Sequence, residues 1–237
     1  MSSTTTPPQV STTPSAADRA ATVLADRRAL PARLEAFAGA FTALAELLRS
    51  APDAQVLARV RDPRLLARWP VEDADCRRGT ALLAESAVAQ EDVGRIRRDY
   101  DRLFFGPGTM KAPPYESVHR SDEHVRLERR ATPVRAAYAA FGLAAPRPDR
   151  EPDDHVALEL EFVGTLCARG LDALEAADEA ELALVVRGIC AFLDEHLLAW
   201  APRCLTQAAN ASTTFFYQGA AALGLGTLTR ARAVFRP

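Results

Sequence analysis

Three stretches of the chain place chemically capable side chains at telling intervals. In EPDDHVALELEF, His155, Glu159 and Phe162 recur at i, i+4 and i+7, so on a helix they stand one above another. A histidine and a glutamate so placed can form a hydrogen-bonded pair, act in hydrolysis or supply two metal ligands. A metal site needs further ligands at diagnostic spacing; neither H-E-x-x-H nor a Cys/His cluster is present, and His119 and His124 fall at no such interval. In FLDEHLLAWAP, Phe192, His196 and Trp200 are four apart, a stripe expected to be core, with His196 bonded to a neighbour. The third stretch, GPGTMKAPPYESVH, holds three of the sixteen prolines and two of the twelve glycines, and so forms a shaped loop rather than helix.

That loop follows YDRLFF, where Tyr100, Leu103 and Phe104 share one helical face. Phe104 is then expected in the core and Phe105 to point elsewhere. Pro113 and Pro114 hold Tyr115 at a fixed angle, and Glu116 beside it is a carboxylate able to accept a bidentate arginine. The simpler reading is a rigid connector whose aromatics plug the core, with Ser117 as a helix N-cap. No G-x-x-x-x-G-K-[ST], G-x-G-x-x-G or G-x-S-x-G motif occurs, so no nucleotide or other cofactor and no catalytic residue is assigned.

The elements that carry these stretches are helical. Leu34, Phe37, Phe41, Leu44 and Leu48 make one amphipathic helix, closed by Arg49 and Pro52. One long helix is expected from Val71 to Phe104, stopped by Gly106, and a shorter one from Thr132 to Gly142. The segment AAPRPDREPDD is rich in proline and charge and marks a hinge. Three helices are expected beyond it: one capped by Asp153 or Asp154, one from Ala177 to Trp200 followed by Pro202, and one from Arg203 to Leu223 loosened afterwards by Gly224 and Gly226. No β alternation is found. The fold class is all-α, a single helical domain in two lobes: a disordered tail 1–18, an N-terminal lobe 19–142, a hinge 143–153 and a C-terminal lobe 154–237.

Composition narrows the function. With 48% apolar and 25% charged residues among 237, the chain can bury a sizeable core. Its 29 basic and 31 acidic residues give a formal charge of −2, which disfavours nucleic acid. No apolar run reaches the length of a membrane span, so no stable membrane insertion is expected. Cys76, Cys167, Cys190 and Cys204 show no C-x-x-C spacing and suit a reducing cytoplasm. Arg27 and Arg28 are followed by a proline and charges at helical spacing, and are taken as an exposed helix face rather than an export signal.

Taken together and in order, the three stretches resemble the TorD/DmsD family of cytoplasmic chaperones, which mature molybdenum enzymes bound for twin-arginine export. The resemblance lies in Tyr100-x-x-Leu103-Phe104, Gly106-Pro107, Ala112-Pro113-Pro114-Tyr115-Glu116-Ser117-Val118, Pro152-x-Asp154-His155 with Leu158, Glu159 and Phe162, and Phe192, His196-Leu197 and Trp200-x-Pro202. Tyr115 and His119 depart from the tryptophan and tyrosine of many members. The resemblance implies no catalysis, and as partners the twin-arginine signal peptide and the apoprotein of a molybdopterin-dependent oxidoreductase, in the cytoplasm, with the chaperone a monomer or a helix-exchanged dimer. It places Asp154 and His155 in the leader-binding region.

A leader carries an arginine pair followed by an apolar helix-forming stretch, so its receptor needs a greasy cleft with carboxylates at one end. Glu116, Asp154 and Glu159 are the candidate carboxylates, and Phe104, Phe105, Tyr115 and Phe162 the candidate walls, with Pro114 setting Tyr115. The competing readings are a small metal-dependent hydrolase using His155 and Glu159, and a helical scaffold without leader specificity.

Overall fold

The computed structural model describes residues 14–106, 108–120, 131–145 and 152–236. Among these every regular element is helical, and there is no sheet, only one isolated bridge. The expectation of an all-α chain therefore holds.

Short acceptor side chains start most of the helices, because they satisfy amides that have no partner in the first turn. Ser15 and Asp18 form a capping box at the start of α1 (Ala16–Ala25), so the helix begins inside the segment assigned to a disordered tail. Residues 1–13 lie outside the described residues. Arg27 and Arg28 sit in the turn before α2 (Leu30–Arg49), not on a helix face, and Arg27 pairs with Glu179. Asp53 and Asp62 cap α3 (Ala54–Val60) and α4 (Pro63–Leu66).

The long helix expected from Val71 to Phe104 is two: α5 (Ala74–Val88) and α6 (Val93–Tyr100). Gln90 adopts φ 50°, a left-handed conformation that ends a helix, and Asp92 caps the next one. The break serves a distant element. Buried Glu91 accepts from the Phe215 and Phe216 amides at 2.9 and 3.1 Å, at the start of α12 (Phe215–Phe235). Asp99 accepts from the Thr213 and Thr214 amides and from the Ser212 and Thr214 hydroxyls, tying down the same turn.

After the short α7 (Glu116–His119) and α8 (Ala131–Ala139), most of the expected hinge, 146–151, lies outside the described residues. His155, not Asp153 or Asp154, is the N-cap of α9 (Val156–Glu175), its Nδ1 accepting the Ala157 amide. Beyond it α10 (Glu179–Phe192) runs through a π turn, Leu193–Leu197, straight into α11 (Leu198–Ala211). Pro202 therefore lies inside a helix rather than after one. The true stop is Ser212, whose backbone is extended and whose hydroxyl donates to Asp99.

The principal packing pairs are α2 on α9 and α5 on α12, with α10 and α11 completing the core around α9 and α12. Gly79 and Gly219 face each other across α5 and α12, and a Cβ on either would come within 2.9 Å of the other's carbonyl oxygen. Only hydrogen fits there. Gly224 and Gly226, expected to loosen the chain, instead lie within α12 and pack against Leu205 and Cys76.

Candidate functional site

Pro114 and Tyr115 are extended, as a proline pair and the residue beside it prefer, and they run antiparallel to Asp154 and His155. The Val156 amide donates to the Pro114 carbonyl at 2.8 Å and the Glu116 amide to the Asp154 carbonyl at 3.0 Å. The Asp154 carboxylate accepts the Ser117 amide at 2.8 Å, and the Tyr115 ring meets the His155 ring edge-on at 5.4 Å. Two stretches distant in sequence are thus one bridged unit. His119 braces it from behind: its Nε2 bonds the Pro113 carbonyl at 2.7 Å, and its ring stacks on Trp200 at 5.3 Å.

Beneath the bridge is a buried polar cluster. His196 Nδ1 lies 3.0 Å from a Glu116 carboxylate oxygen, and Arg120 pairs with the same carboxylate while also donating to the Glu195 carbonyl at 2.6 Å. Burial pushes the Glu116 carboxyl up, but His196 and Arg120 outweigh it and hold the group below the ordinary glutamate range. Glu159 is 0% exposed and behaves oppositely. Burial first, then the nearby Glu116 charge, pushes it well above that range despite the indole N–H that Trp200 donates at 3.0 Å. The cluster thus favours the ionised form of Glu116 and the protonated form of Glu159.

Burial also lowers His155, to about 4, so at neutral pH it is an uncharged cap acceptor. Among the described residues no group of three His, Cys, Asp or Glu is placed to hold an ion, as the metal-dependent alternative would need. His124 lies outside them.

A cleft of about 530 Å³ opens beside the bridge. Of the nine side chains proposed from sequence as peptide contacts, Phe104, Phe105, Tyr115 and His155 line it. A second π turn, Asp101–Phe105, sorts the two phenylalanines. Phe104 is buried against Tyr100 and Tyr217, at ring distances of 5.4 and 5.6 Å, and leaves only part of itself at the cleft floor. Phe105 is 73% exposed. Gly106 closes the turn, its amide donating to the Asp101 carbonyl, where a Cβ would lie 2.7 Å from that oxygen.

The other five candidates lie elsewhere. Glu116, Asp154 and Glu159 are 6%, 2% and 0% exposed and bonded within the protein, so they stand behind the cleft and not on a negative rim. Their burial and hydrogen bonds come from distant groups, which adjacency in sequence could not reveal. Phe162 is buried among Tyr138 and Phe192 at 4.8 and 4.7 Å, and Pro114 is buried with its carbonyl in the bridge.

Sequence reasoning missed the charged wall of the cleft, made of Arg49, Arg97 and Asp101. Asp101 and Arg97 carried a signal, since they fall on the helix that leads into the motif; Arg49, at the end of α2, carried none. Arg49 is held by Glu161 at 2.5 Å. A second hollow of about 590 Å³, walled by Leu47, Leu66, Trp69 and Leu83 among others, shares no wall residue with the cleft.

The family described as nitrate reductase delta subunit matches residues 70–206. More than half of the chain is covered, and the chain belongs to that family, which contains the TorD and DmsD chaperones. Its members are chaperones rather than enzymes. The chain is 27% identical over 174 residues to the probable Tat proofreading chaperone DmsD of Haemophilus influenzae, covering 73% of this chain and 76% of that protein. It is 28% identical over 130 residues to the chaperone protein TorD of Vibrio cholerae, covering 55% and 57%, and 28% identical over 107 residues to that of Photobacterium profundum, covering 45% and 48%. No helix among the described residues is long and apolar enough to cross a membrane.

Proposed function

We propose that this chaperone acts in the cytoplasm, where it grips the twin-arginine leader and the apo form of a molybdopterin-dependent oxidoreductase and delays export until the cofactor is inserted. The carrying observation is the cleft itself, lined by an exposed Phe105 together with a Tyr115–His155 pair that the bridge holds in place. An apolar helix laid on an exposed aromatic gains burial that the free protein lacks, while the bridged backbone keeps the receiving surface preorganised. The relatives' names, chaperone and Tat proofreading chaperone, support the same reading.

Calorimetry of the full chain against the leader of a molybdoenzyme encoded beside its gene tests the proposal. Saturable one-to-one binding in the nanomolar to micromolar range is expected. Absence of heat and of binding across a panel of twin-arginine leaders would overturn it.

A further inference from the structure

We propose that Asp101 is the carboxylate that receives a guanidinium of the bound leader; this rests on the leader-binding reading above. A receptor for an arginine pair needs an uncommitted acid at its cleft, and the obvious acids are spent. Glu116 is held by His196 and Arg120, Asp154 by the Ser117 amide, and Glu159 is wholly buried. Asp101 is partly exposed and lines both the 530 Å³ cleft and an adjoining hollow of about 290 Å³. Among the described residues no hydrogen bond or ion pair engages its carboxylate; its backbone is used at both ends, the amide donating to the Arg97 carbonyl and the carbonyl accepting from Gly106.

The cations around it are mostly committed. Arg49 is tied to Glu161, and Arg102, on the wall of the adjoining hollow, is tied to Asp99 and to the Ala211 carbonyl. Arg97 alone among the cleft's arginines has no ion partner among the described residues, and it stands one helical turn before Asp101 on the same wall. Its positive charge on that wall repels an incoming arginine. Phe105, at the other end of the same π turn, offers its exposed ring to the apolar residues that follow the arginines. Charge and grease are thus spaced by a single turn of chain.

The test uses the full chain and two synthetic peptides, an arginine pair followed by an alanine-leucine stretch, and the same peptide with both arginines replaced by uncharged citrulline. Wild type is expected to prefer the arginine peptide by on the order of tenfold. Asp101→Asn is expected to lose that preference while binding the citrulline peptide as wild type does. Asp101→Glu is expected to restore it, and Arg97→Gln to strengthen it. Retention of the full preference by Asp101→Asn, or equal binding of both peptides by wild type, would overturn the assignment and leave leader binding standing. Failure of wild type to bind either peptide would overturn both. Circular dichroism melting of each variant separates a binding loss from a folding loss.

Discussion

Trp200 donates its indole N–H to a Glu159 carboxyl oxygen at 3.0 Å, deep in the core, and the other oxygen of that carboxyl has no hydrogen-bond partner among the described residues. Burial that favours the protonated form of such an acid makes a neutral amide its closest substitute.

Replacement of Glu159 by glutamine should therefore preserve the fold at neutral pH, within about 1 kcal/mol, whereas alanine should cost about 2–4 kcal/mol by stranding the Trp200 donor and opening a void. The pH dependence has a definite sign. Because the folded-state value is raised above the ordinary 4.5, the stability contribution is full below 4.5 and declines as pH rises toward the folded value. Urea denaturation of wild type and Glu159→Gln across this range should show the variant gaining on wild type as pH rises.

His155 gives the opposite slope. Burial lowers its value from 6.5 to about 4, so the neutral ring supports the fold above 6.5 and that support is lost as pH falls through this interval. His155→Asn keeps a cap acceptor and should flatten the dependence of melting temperature on pH between about 6.5 and 4. His155→Ala should in addition cost about 1 kcal/mol through loss of the cap.

Asp99 should be among the most sensitive positions in the chain. Burial alone would raise its carboxyl, yet hydrogen bonds from Thr214, Arg102, Ser212 and Thr213 outweigh it and hold the group below the ordinary range. Asp99→Ala leaves those donors without their acceptor at the start of α12, and a loss of about 3–5 kcal/mol is expected by chemical denaturation.

Phe105 should behave as a contact residue and not as a structural one. Its ring is 73% exposed, so Phe105→Ala should leave the melting midpoint nearly unchanged. If the leader covers that ring, the same change should weaken binding by about 2 kcal/mol, or roughly thirtyfold by calorimetry. Normal affinity with normal stability would place the leader on another face, with the apolar hollow beside Trp69 the next candidate.

Local order along the chain was enough to establish the helices and the division of labour in YDRLFF, because a 3.6-residue period and the stopping power of glycine and proline act over a few neighbours. The same local logic misjudged the end of the helix after Trp200: Pro202 signals a stop, but a π turn beginning at Leu193 carries the chain on to Ala211. It also missed the break at Gln90, which exists so that Glu91 can reach the α12 amides more than a hundred positions away. The carboxylates show the limit most clearly. Glu116, Asp154 and Asp101 are alike as residues, and whether each faces solvent depends on which distant groups meet it: His196 claims the first and the Ser117 amide the second, while no described side chain claims the third. Periodicity governs which side of a helix is greasy, but desolvation and hydrogen bonding are settled between helices, so the accessible acid emerges only once they have packed.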